Sequence, residues 1–381
     1  MSMVEWKKLG DICDFLKGRS LSKNDIGLGE SQVILYGELY TTYGDYITSI
    51  RSKTSSEIAA EATKLAFDDL VLPVSSTTKE AQIGKVSVIK EKADISLGSD
   101  AIILRNSFNS NFLMYYLNST LFEREKMNCV HGTTIMHLSP KELAQKTVPI
   151  PSVSEQQRIV DILDTFTSSI ENLKEQIAQR RKQFEYCRDR LLDFEGKEEV
   201  EMNTLGEIGE VCMCKRIMKD QTAASGEIPF FKIGTFGGQA DAYISRDLFE
   251  DYKARFSFPK KGDILISAAG TIGRSVVFDG EDAYFQDSNI VWIANNEEIV
   301  TNRYLYYFYQ IAEWKTDGGT IKRLYNYNLK NTIIPIPSIS EQQRIVYILD
   351  TFEVSIANLE AQLAQREKQY EYYRNKLLTF E

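Results

Sequence analysis

The amino-acid sequence predicts an α+β protein in which two β-rich domains alternate with two long helices. Three observations lead to this prediction: a duplicated segment, a heptad pattern inside each copy of it, and short β-type runs elsewhere. We expect the two helices to pair as an antiparallel intramolecular coiled coil, with a pseudo-two-fold relation between the two halves of the chain.

The duplicated segment aligns without gaps. Residues 148–195 match residues 334–381, so each residue corresponds to the one 186 positions later. The preceding segments match more loosely, with offsets between 186 and 196, as insertions and deletions in surface loops would produce. The predicted domains are residues 1–150 (β-rich), 151–196 (long helix), 197–336 (β-rich) and 337–381 (long helix).

Each long helix is predicted from its start signal and its apolar period. Ser154 and Gln157 fit a capping box just after a Pro-Ile-Pro-Ser segment. From there, apolar residues recur in alternating steps of four and three through residues 159–194, and again through residues 345–380. Arg180 and Arg366 interrupt this seam at matching positions, and we interpret them as snorkelling or register-setting residues.

One such helix cannot bury its seam alone, so the other copy is the expected partner. At 1.5 Å per residue, each helix would be roughly 60 Å long.

The sequence between the helices has the composition of β-structure. Short apolar runs are bounded by Gly, Asn, Asp and Ser, which favour turns. The aromatic-rich stretches 112–126 and 304–315 are predicted as helices whose rings belong to the core. The predicted strands are residues 33–35, 70–74, 86–89, 101–104, 229–233, 263–267, 275–278 and 289–293.

Length and composition indicate a globular protein. The 381 residues suggest two to three domains, and 43% of them are hydrophobic and 26% charged. With no long apolar segment and no signal-peptide pattern at its start, the chain is expected to be cytoplasmic, without a membrane partner. The net charge of −9 argues against a uniformly basic surface but leaves local basic patches possible.

Catalytic and metal-binding motifs are missing from the sequence. Five scattered cysteines and two histidines argue against a zinc site and against disulfides. We find no phosphate-binding loop, no His-Glu-x-x-His, no Gly-x-Ser-x-Gly and no amino-methyltransferase box. We therefore predict no catalytic residues, no bound metal and no cofactor in this chain.

Several predicted loops share small hydroxyl and basic side chains suited to DNA phosphate and sugar oxygens. They recur at corresponding places in the two β-rich domains, which is the reason for selecting them. The candidate DNA-binding residues are Arg19, Lys23, Tyr40, Tyr43, Ser76, Thr77, Thr78, Lys79, Thr133, Thr134, Lys215, Arg216, Lys219, Lys232, Phe236, Thr271, Arg274, Thr320, Lys322 and Arg323.

The two helix starts carry a family resemblance. Each opens with Pro-Ile-Pro-Ser-x-Ser-Glu-Gln-Gln-Arg-Ile-Val, at residues 149–160 and 335–346. Two such helices alternating with two variable domains resemble the specificity subunit of type I restriction–modification systems over the whole chain. The resemblance implies two target recognition domains, each reading one half of a split double-stranded DNA sequence, and helices that hold two methyltransferase subunits.

The resemblance also implies partners and cofactors outside this chain. The methyltransferase subunits would use S-adenosylmethionine to methylate adenine N6, and a restriction subunit, where present, would use ATP and Mg. Outward residues at the helix starts are the candidates for docking the methyltransferase subunits: Gln156, Arg158, Gln342 and Arg344.

We further expect the two halves of the DNA target to differ in sequence. We also expect the length of the helices to set the number of unspecified bases between the two halves. Two alternatives stay open at this point. One is a coiled-coil scaffold with two protein- or glycan-binding heads, and the other is a single-chain nuclease.

Overall fold

The computed structural model describes residues 4–77, 83–196, 200–318 and 322–380. The chain divides into two compact units. Unit 1 comprises Met1–Lys174 and Ala361–Glu381, and unit 2 comprises Glu175–Glu360. Each unit therefore contains one β-rich region and parts of both long helices.

Unit 1 is built from short strands. Among its described residues they form a five-stranded sheet in the order β2-β11-β7-β9-β4, a four-stranded sheet β5-β3-β10-β6, a three-stranded sheet β12-β13-β8 and the pair β1-β14. The strands are β1 (Glu5–Lys8), β2 (Cys13–Lys17), β3 (Ser31–Ile34), β4 (Tyr46–Ile47), β5 (Ser52–Thr54), β6 (Thr63–Leu65), β7 (Leu70–Pro73), β8 (Ser75–Ser76), β9 (Ser87–Ile89), β10 (Ile95–Leu97), β11 (Ala101–Asn106), β12 (Val130–His131), β13 (Met136–Leu138) and β14 (Thr147–Ile150).

The helices of unit 1 include one correction. The stretch predicted as a single helix over residues 112–126 forms two helices, because the chain breaks at Asn118 and Ser119. The side chain of Asn109 accepts a hydrogen bond from Phe112 N and caps the first of them. The helices are α1 (Leu9–Ile12), α2 (Glu38–Thr41), α3 (Ser56–Glu61), α4 (Ser110–Leu117), α5 (Thr120–Met127), α6 (Pro140–Leu143), the first part of α7 (Val153–Leu191) and the last part of α12 (Ile339–Leu378).

Unit 2 repeats the β-rich plan with fewer strands in its described part. A four-stranded sheet has the order β16-β22-β19-β20, a three-stranded sheet has the order β18-β17-β21, and β15 pairs with β23. The strands are β15 (Glu201–Thr204), β16 (Glu210–Cys212), β17 (Ile228–Phe231), β18 (Tyr243–Ile244), β19 (Ile264–Ser267), β20 (Ser275–Val277), β21 (Tyr284–Phe285), β22 (Ile290–Ala294) and β23 (Ile333–Ile336).

The helices of unit 2 also differ in detail from the prediction. The helix expected over residues 304–315 ends at Tyr309, and a ten-residue helix at residues 246–255 was not predicted. Tyr304, Tyr307 and Tyr309 are buried, so the prediction that these aromatic rings belong to the core is confirmed. The helices are α8 (Leu205–Ile208), α9 (Arg246–Arg255), α10 (Asn302–Tyr309), α11 (Asn326–Lys330) and the first part of α12 (Ile339–Leu378), besides the end of α7.

The long helices pair antiparallel within each unit. In unit 1, Phe166 of α7 stacks on Tyr373 of α12, with 5.4 Å between ring centroids, and Lys174 pairs with Glu367 at 3.4 Å. Higher numbers on α7 thus meet lower numbers on α12, and the predicted antiparallel pairing is confirmed.

Unit 2 has the matching arrangement. Arg181 of α7 pairs with Glu360 of α12 at 2.5 Å, and the rings of Phe184 and Phe352 lie 6.4 Å apart. The residues of the two ion pairs correspond through the 186-residue offset, since Lys174 matches Glu360 and Arg181 matches Glu367.

The capping residue of the first long helix lies two residues before Ser154, the serine predicted for that role. The hydroxyl of Ser152 accepts a hydrogen bond from Glu155 N at 3.3 Å, and the hydroxyl of Ser338 accepts one from Glu341 N at the same distance. The capping residue is therefore the serine of Pro-Ile-Pro-Ser and not Ser154, because the chain becomes helical as soon as it leaves the second proline.

Candidate nucleic-acid interface

A loop with a left-handed residue occupies equivalent positions in the two units. In unit 1 it joins β10 to β11 and contains Asp100, with φ +61°. In unit 2 it joins β21 to β22 and contains Ser288, with φ +51°. Non-glycine residues rarely adopt this backbone conformation, which makes the loop a conspicuous feature. We call residues 98–100 and 286–289 the crossing loops.

Matching backbone hydrogen bonds support this equivalence. Gly98 N donates to Ile34 O and Gln286 N donates to Phe231 O, both at 2.9 Å. In each unit the crossing loop thus follows one strand of a parallel pair. The pair is β3 and β10 in unit 1, and β17 and β21 in unit 2.

In unit 1, the crossing loop anchors two of the segments selected from sequence. The hydroxyl of Ser75 donates to Asp100 Oδ1 at 2.9 Å and lies 3.0 Å from His137 Nδ1. The hydroxyl of Tyr40 donates to Ser75 O at 3.0 Å. Because Ser75 and His137 lie opposite each other on β8 and β13, the segment after β8 and the β12–β13 connection are brought together. Thr133 and Thr134 are exposed on that connection, and Thr77 is exposed just after β8.

The Ser75, His137 and Asp100 contacts are not a hydrolase triad. In a triad the histidine lies between the other two groups, whereas here the serine hydroxyl lies between the histidine and the aspartate. Ser75 is also buried, so its oxygen is not presented to a substrate. The network is structural.

Arg19, a further candidate, lies near the crossing loop of unit 1. Arg19 N donates to Leu97 O at 3.3 Å, at the end of β10. Both the Arg19 side chain and Lys23, in a short 3-10 turn, are exposed.

In unit 2, four of the selected cations converge on the crossing loop. A cleft of about 460 Å³ is lined by polar residues of this loop, including Asn289, and by basic residues from three separate segments. We call it the basic cleft, and its basic residues are Arg216, Lys219, Lys232 and Arg323.

The four basic side chains of the basic cleft differ from one another in their bonding partners. Arg216 Nε donates to Asp287 Oδ2 at 2.9 Å, and Arg323 Nη2 donates to Ser288 O at 2.6 Å. Lys232 pairs with Asp241 at 2.8 Å. Lys219 is exposed and has no ion-pair partner within the described ranges. The cleft therefore combines two arginines fixed to one loop with a lysine paired to Asp241 and the exposed Lys219.

The loop between β19 and β20 does not line the basic cleft. Arg274 Nη1 donates to Phe236 O at 2.8 Å, and Ser267 binds the carbonyl of Thr271, so these groups stabilise the loop itself. Thr271 and Arg274 instead line a cleft of about 830 Å³ beside the helix pair of unit 2.

The residues just before α6 in unit 1 and just before α11 in unit 2 bind to the same strand end. Leu138 N donates to Val74 O at 2.8 Å, and Leu324 N donates to Ala268 O at 2.9 Å. These residues match through offsets of 186 and 194. Lys322 is exposed next to this contact, and Lys215 is exposed with its ammonium 5.0 Å from the Phe256 ring centroid.

Several sequence candidates are buried, which corrects the sequence analysis. Tyr43 is 8% exposed, and its hydroxyl accepts a hydrogen bond from Arg51 N. Phe236 is 2% exposed in the core of unit 2, and Ser76 is 3% exposed on β8. Burial removes these side chains from a DNA-facing surface. Three other candidates, Thr78, Lys79 and Thr320, lie outside the described residues.

The expectation that both glutamines of the helix starts point outward is wrong. Gln156 is 2% exposed and its Nε2 donates to Pro151 O. Gln342 is fully buried, donates to Ile299 O and Pro337 O, and accepts from Thr301 N. Both amides tie the helix start to the chain before it.

The arginines of the helix starts are exposed as expected. Arg158 forms a two-bond ion pair with Glu155, at 2.8 and 2.6 Å, and Arg344 forms the same pair with Glu341, at 2.7 Å for both bonds. In each pair the hydrogen bond to the carboxylate raises the arginine pKa. The two helix starts thus present the same charged group.

Sequence reasoning missed Tyr325 and Tyr327. Their rings stack at 6.0 Å with 9° between planes, and both are exposed beside the basic cleft, where Arg323 lies 5.9 Å from the Tyr325 ring centroid. The Tyr-Asn-Tyr spacing after a basic run was the available signal, since exposed rings can stack on bases.

The cysteines do not form a metal site or a reactive-thiol site in the described part of the chain. Burial raises the pKa of the Cys214 thiol to about 12, and it also raises the pKa of Cys212. Within the described ranges, no group of three or more metal-ligating side chains is found. The same described residues include no helix with the length and apolar character of a transmembrane span.

The chain matches known proteins along most of its length. The family model described as the type I restriction modification DNA specificity domain matches residues 1–180 and again residues 197–367. A Haemophilus influenzae protein named as a type I restriction enzyme specificity subunit is 50% identical over 292 residues, covering 72% of this chain and 74% of that protein. The EcoR124I/EcoR124II specificity subunit of Escherichia coli is 32% identical over 266 residues, covering 62% of this chain and 64% of the relative.

Solved structures share the fold. The crystal structure of the S subunit of a type I restriction–modification system from M. genitalium has a TM-score of 0.61 at 15% identity, covering 100% of this chain and 98% of that one. A chain from a structural study of the assembly of the type I system has a TM-score of 0.65 at 16% identity, covering 99% and 98%. The doubled family match therefore makes this chain a member of the type I restriction–modification DNA specificity subunits, non-catalytic proteins whose partner subunits carry the catalytic activities.

Proposed function

We propose that the chain selects the DNA target of a type I restriction–modification complex, with each unit reading one half of a split sequence. The observation that carries this proposal is the crossing loop, which recurs in both units and has several of the selected DNA-binding segments around it in each. A duplicated recognition surface suits a target made of two separated parts.

The two half-sites should differ, because the equivalent surfaces differ chemically. Around Asp100, unit 1 offers hydroxyl groups, a carboxylate and the single arginine Arg19 among the selected candidates. Around Ser288, unit 2 offers arginine, lysine and carboxamide groups. Hydrogen-bond donors and acceptors in different positions match different base edges, so the complete target should be asymmetric.

Electrostatics favour recognition within a larger complex. The chain has a net charge of −9, and its basic groups are concentrated in local sites such as the basic cleft. Phosphate contacts supply most non-specific DNA affinity. We therefore expect the isolated chain to bind double-stranded DNA weakly, with partner subunits contributing much of the positive surface.

Two methyltransferase subunits are the proposed partners of the helix starts. The exposed ion pairs of Arg158 with Glu155 and of Arg344 with Glu341 have nearly the same geometry. Two identical groups on one chain suit two copies of one partner. S-adenosylmethionine would be bound by those subunits, and ATP and Mg by restriction subunits where the system has them.

Helix length is proposed to set the gap between the half-sites. Helices α7 and α12 contain 39 and 40 residues, which corresponds to about 60 Å each. A length of this order matches half-sites one to two turns of DNA apart, at about 34 Å per turn.

Methylation mapping tests the proposed function. Long-read sequencing of the source genome should find N6-methyladenine in one asymmetric split motif, and deletion of this gene should remove that motif alone. Restoring the gene on a plasmid controls for secondary effects. Loss of an unsplit or symmetric motif would contradict two-part recognition, and a motif that persists after deletion would contradict the recognition role.

A further inference from the structure

The two arginines of the basic cleft are fixed to neighbouring residues of one loop. Arg216 binds the side chain of Asp287, and Arg323 binds the backbone carbonyl of Ser288. Their contacts with this loop distinguish them from Lys232, whose ammonium pairs with Asp241, and from the exposed Lys219, whose ammonium ends a long flexible side chain. A fixed guanidinium can be aimed at one base edge, whereas a mobile ammonium suits a phosphate.

Arg216 has the geometry of a base-reading side chain. Its Nε donates to Asp287 Oδ2 at 2.9 Å, which leaves the edge formed by its two Nη groups directed away from the carboxylate. The Arg216 side chain is 66% exposed, while that of Asp287 is 18% exposed. A mostly buried carboxylate therefore holds an exposed guanidinium in place.

Arg323 has a different role. Its guanidinium donates to Ser288 O, and its backbone N–H and C=O both form hydrogen bonds with the backbone of Asp317. Arg323 is also less exposed than Arg216. These contacts tie the segment before α11 to the crossing loop. The guanidinium of Arg323 thus stabilises the wall of the cleft, and Arg216 is the arginine left to meet a ligand.

We propose that Arg216 reads a guanine in the half-site of unit 2 and that Asp287 is the positioning residue that orients it. This inference rests on the proposed function. Paired donors at fixed spacing match the O6 and N7 acceptors of guanine in the major groove, which is the commonest specific arginine contact. Lys219 supplies a phosphate contact in the same cleft.

The test uses the full chain assembled with its methyltransferase subunits. Equilibrium binding is measured by fluorescence anisotropy with a labelled duplex carrying the mapped motif, and with duplexes in which each base pair of the unit 2 half-site is replaced in turn. The variants are Arg216→Lys, which keeps the charge but loses the planar fork, and Lys219→Gln as the matched control. Thermal unfolding checks that each variant is folded.

Arg216→Lys should lose discrimination of about tenfold or more at one G·C pair and keep the other base preferences. Lys219→Gln should weaken binding to all duplexes alike. It should also reduce the slope of log K against log salt concentration by about one, as the loss of one phosphate contact would. Equal loss by Arg216→Lys on all duplexes, no loss at all, or a half-site without a G·C pair would overturn the assignment. Absence of any motif preference in the unmodified complex would instead contradict the proposed function.

The positioning role of Asp287 is tested separately, with two variants of this residue in the same binding assay. Asp287→Ala should reduce discrimination at the same G·C pair while raising affinity for unrelated DNA, because the carboxylate no longer orients or neutralises Arg216. Asp287→Asn, which keeps a carbonyl oxygen near Nε, should retain more discrimination than Asp287→Ala. Unchanged discrimination in Asp287→Ala would overturn the positioning role.

Discussion

The guanidinium of Arg180 covers the ring of Phe352 on the facing helix, with 5.7 Å from Cζ to the ring centroid. In unit 1, Arg366 covers Phe166 at the same distance. Each arginine corresponds to the other through the 186-residue offset, as do the two rings. The polar residue that interrupts each heptad seam therefore contacts an aromatic residue and keeps its charged end at the helix surface.

Replacing either seam arginine should destabilise its helix pair. Arg180→Ala and Arg366→Ala should each lower the free energy of unfolding by about 1 kcal/mol, because both the ring contact and the packing of the aliphatic stem are lost. Urea denaturation measures this change, with the exposed Lys182→Ala as the control. Equal midpoints for the arginine variants and the control would contradict a role for these contacts.

The buried amide of Gln342 is predicted to matter more than that of Gln156. Gln342→Leu leaves Thr301 N and two carbonyl groups without their partner and should cost about 2 kcal/mol of unfolding free energy. Gln156→Leu removes one hydrogen bond in the matching position and should cost about 1 kcal/mol. Denaturation of the two variants side by side tests the order, and a larger loss for Gln156→Leu would contradict it.

Asp45 should make unit 1 less stable as pH rises. Burial raises the pKa of Asp45, with Glu171 and Asp164 adding to this shift and Lys85 and Arg374 opposing it. Because the folded pKa lies above the unfolded value of about 3.9, the folded state binds the proton more tightly, and stability falls as pH rises through the folded pKa.

Asp45→Asn removes this pH dependence. The variant should be more stable than the unmodified chain at pH 7, and its advantage should shrink toward pH 4. Urea midpoints at several pH values provide the measurement. A variant less stable at pH 7 would show that the ionised carboxylate is favourable in the folded chain.

Eight of the 23 described strands were predicted, because their apolar runs are short and bounded by turn residues, and the other fifteen were not. All eight predicted runs coincide with strands, from β3 to β22. Helix α9 was missed because, among its residues, only Phe249 is buried and the rest of its sequence reads as a polar segment. Helix α10 ends sooner than predicted, since Gln310 caps it and the apolar period continues into non-helical chain.

The candidate site was predictable in its residue types but not in its assembly. Arg216 and Arg323 are far apart in sequence, and only the crossing loop brings them together. The heptad pattern placed Gln156 and Gln342 near a helix surface, but their bonds to the preceding chain depend on tertiary packing. Likewise, nothing in a run of loop residues separates buried Tyr43 from exposed Lys23.

Lengthening both helices should change the gap and leave the half-sites unchanged. Seven residues inserted after Ile177 and seven after Leu363 preserve the heptad pattern and add about 10 Å to each helix, equivalent to up to about three base pairs. Methylation mapping of the variant complex gives the new motif. An unchanged gap in an active complex would contradict the proposed role of helix length.

Exchanging one recognition region tests the central claim most directly. Residues 205–330 are replaced by the aligned segment of a related specificity subunit whose own motif has been mapped, and N6-methyladenine is located by long-read sequencing. Independent reading by the two units predicts that one half of the motif changes while the other half and the gap persist. A change in both halves, or in neither, would contradict the claim that each unit reads its own half-site.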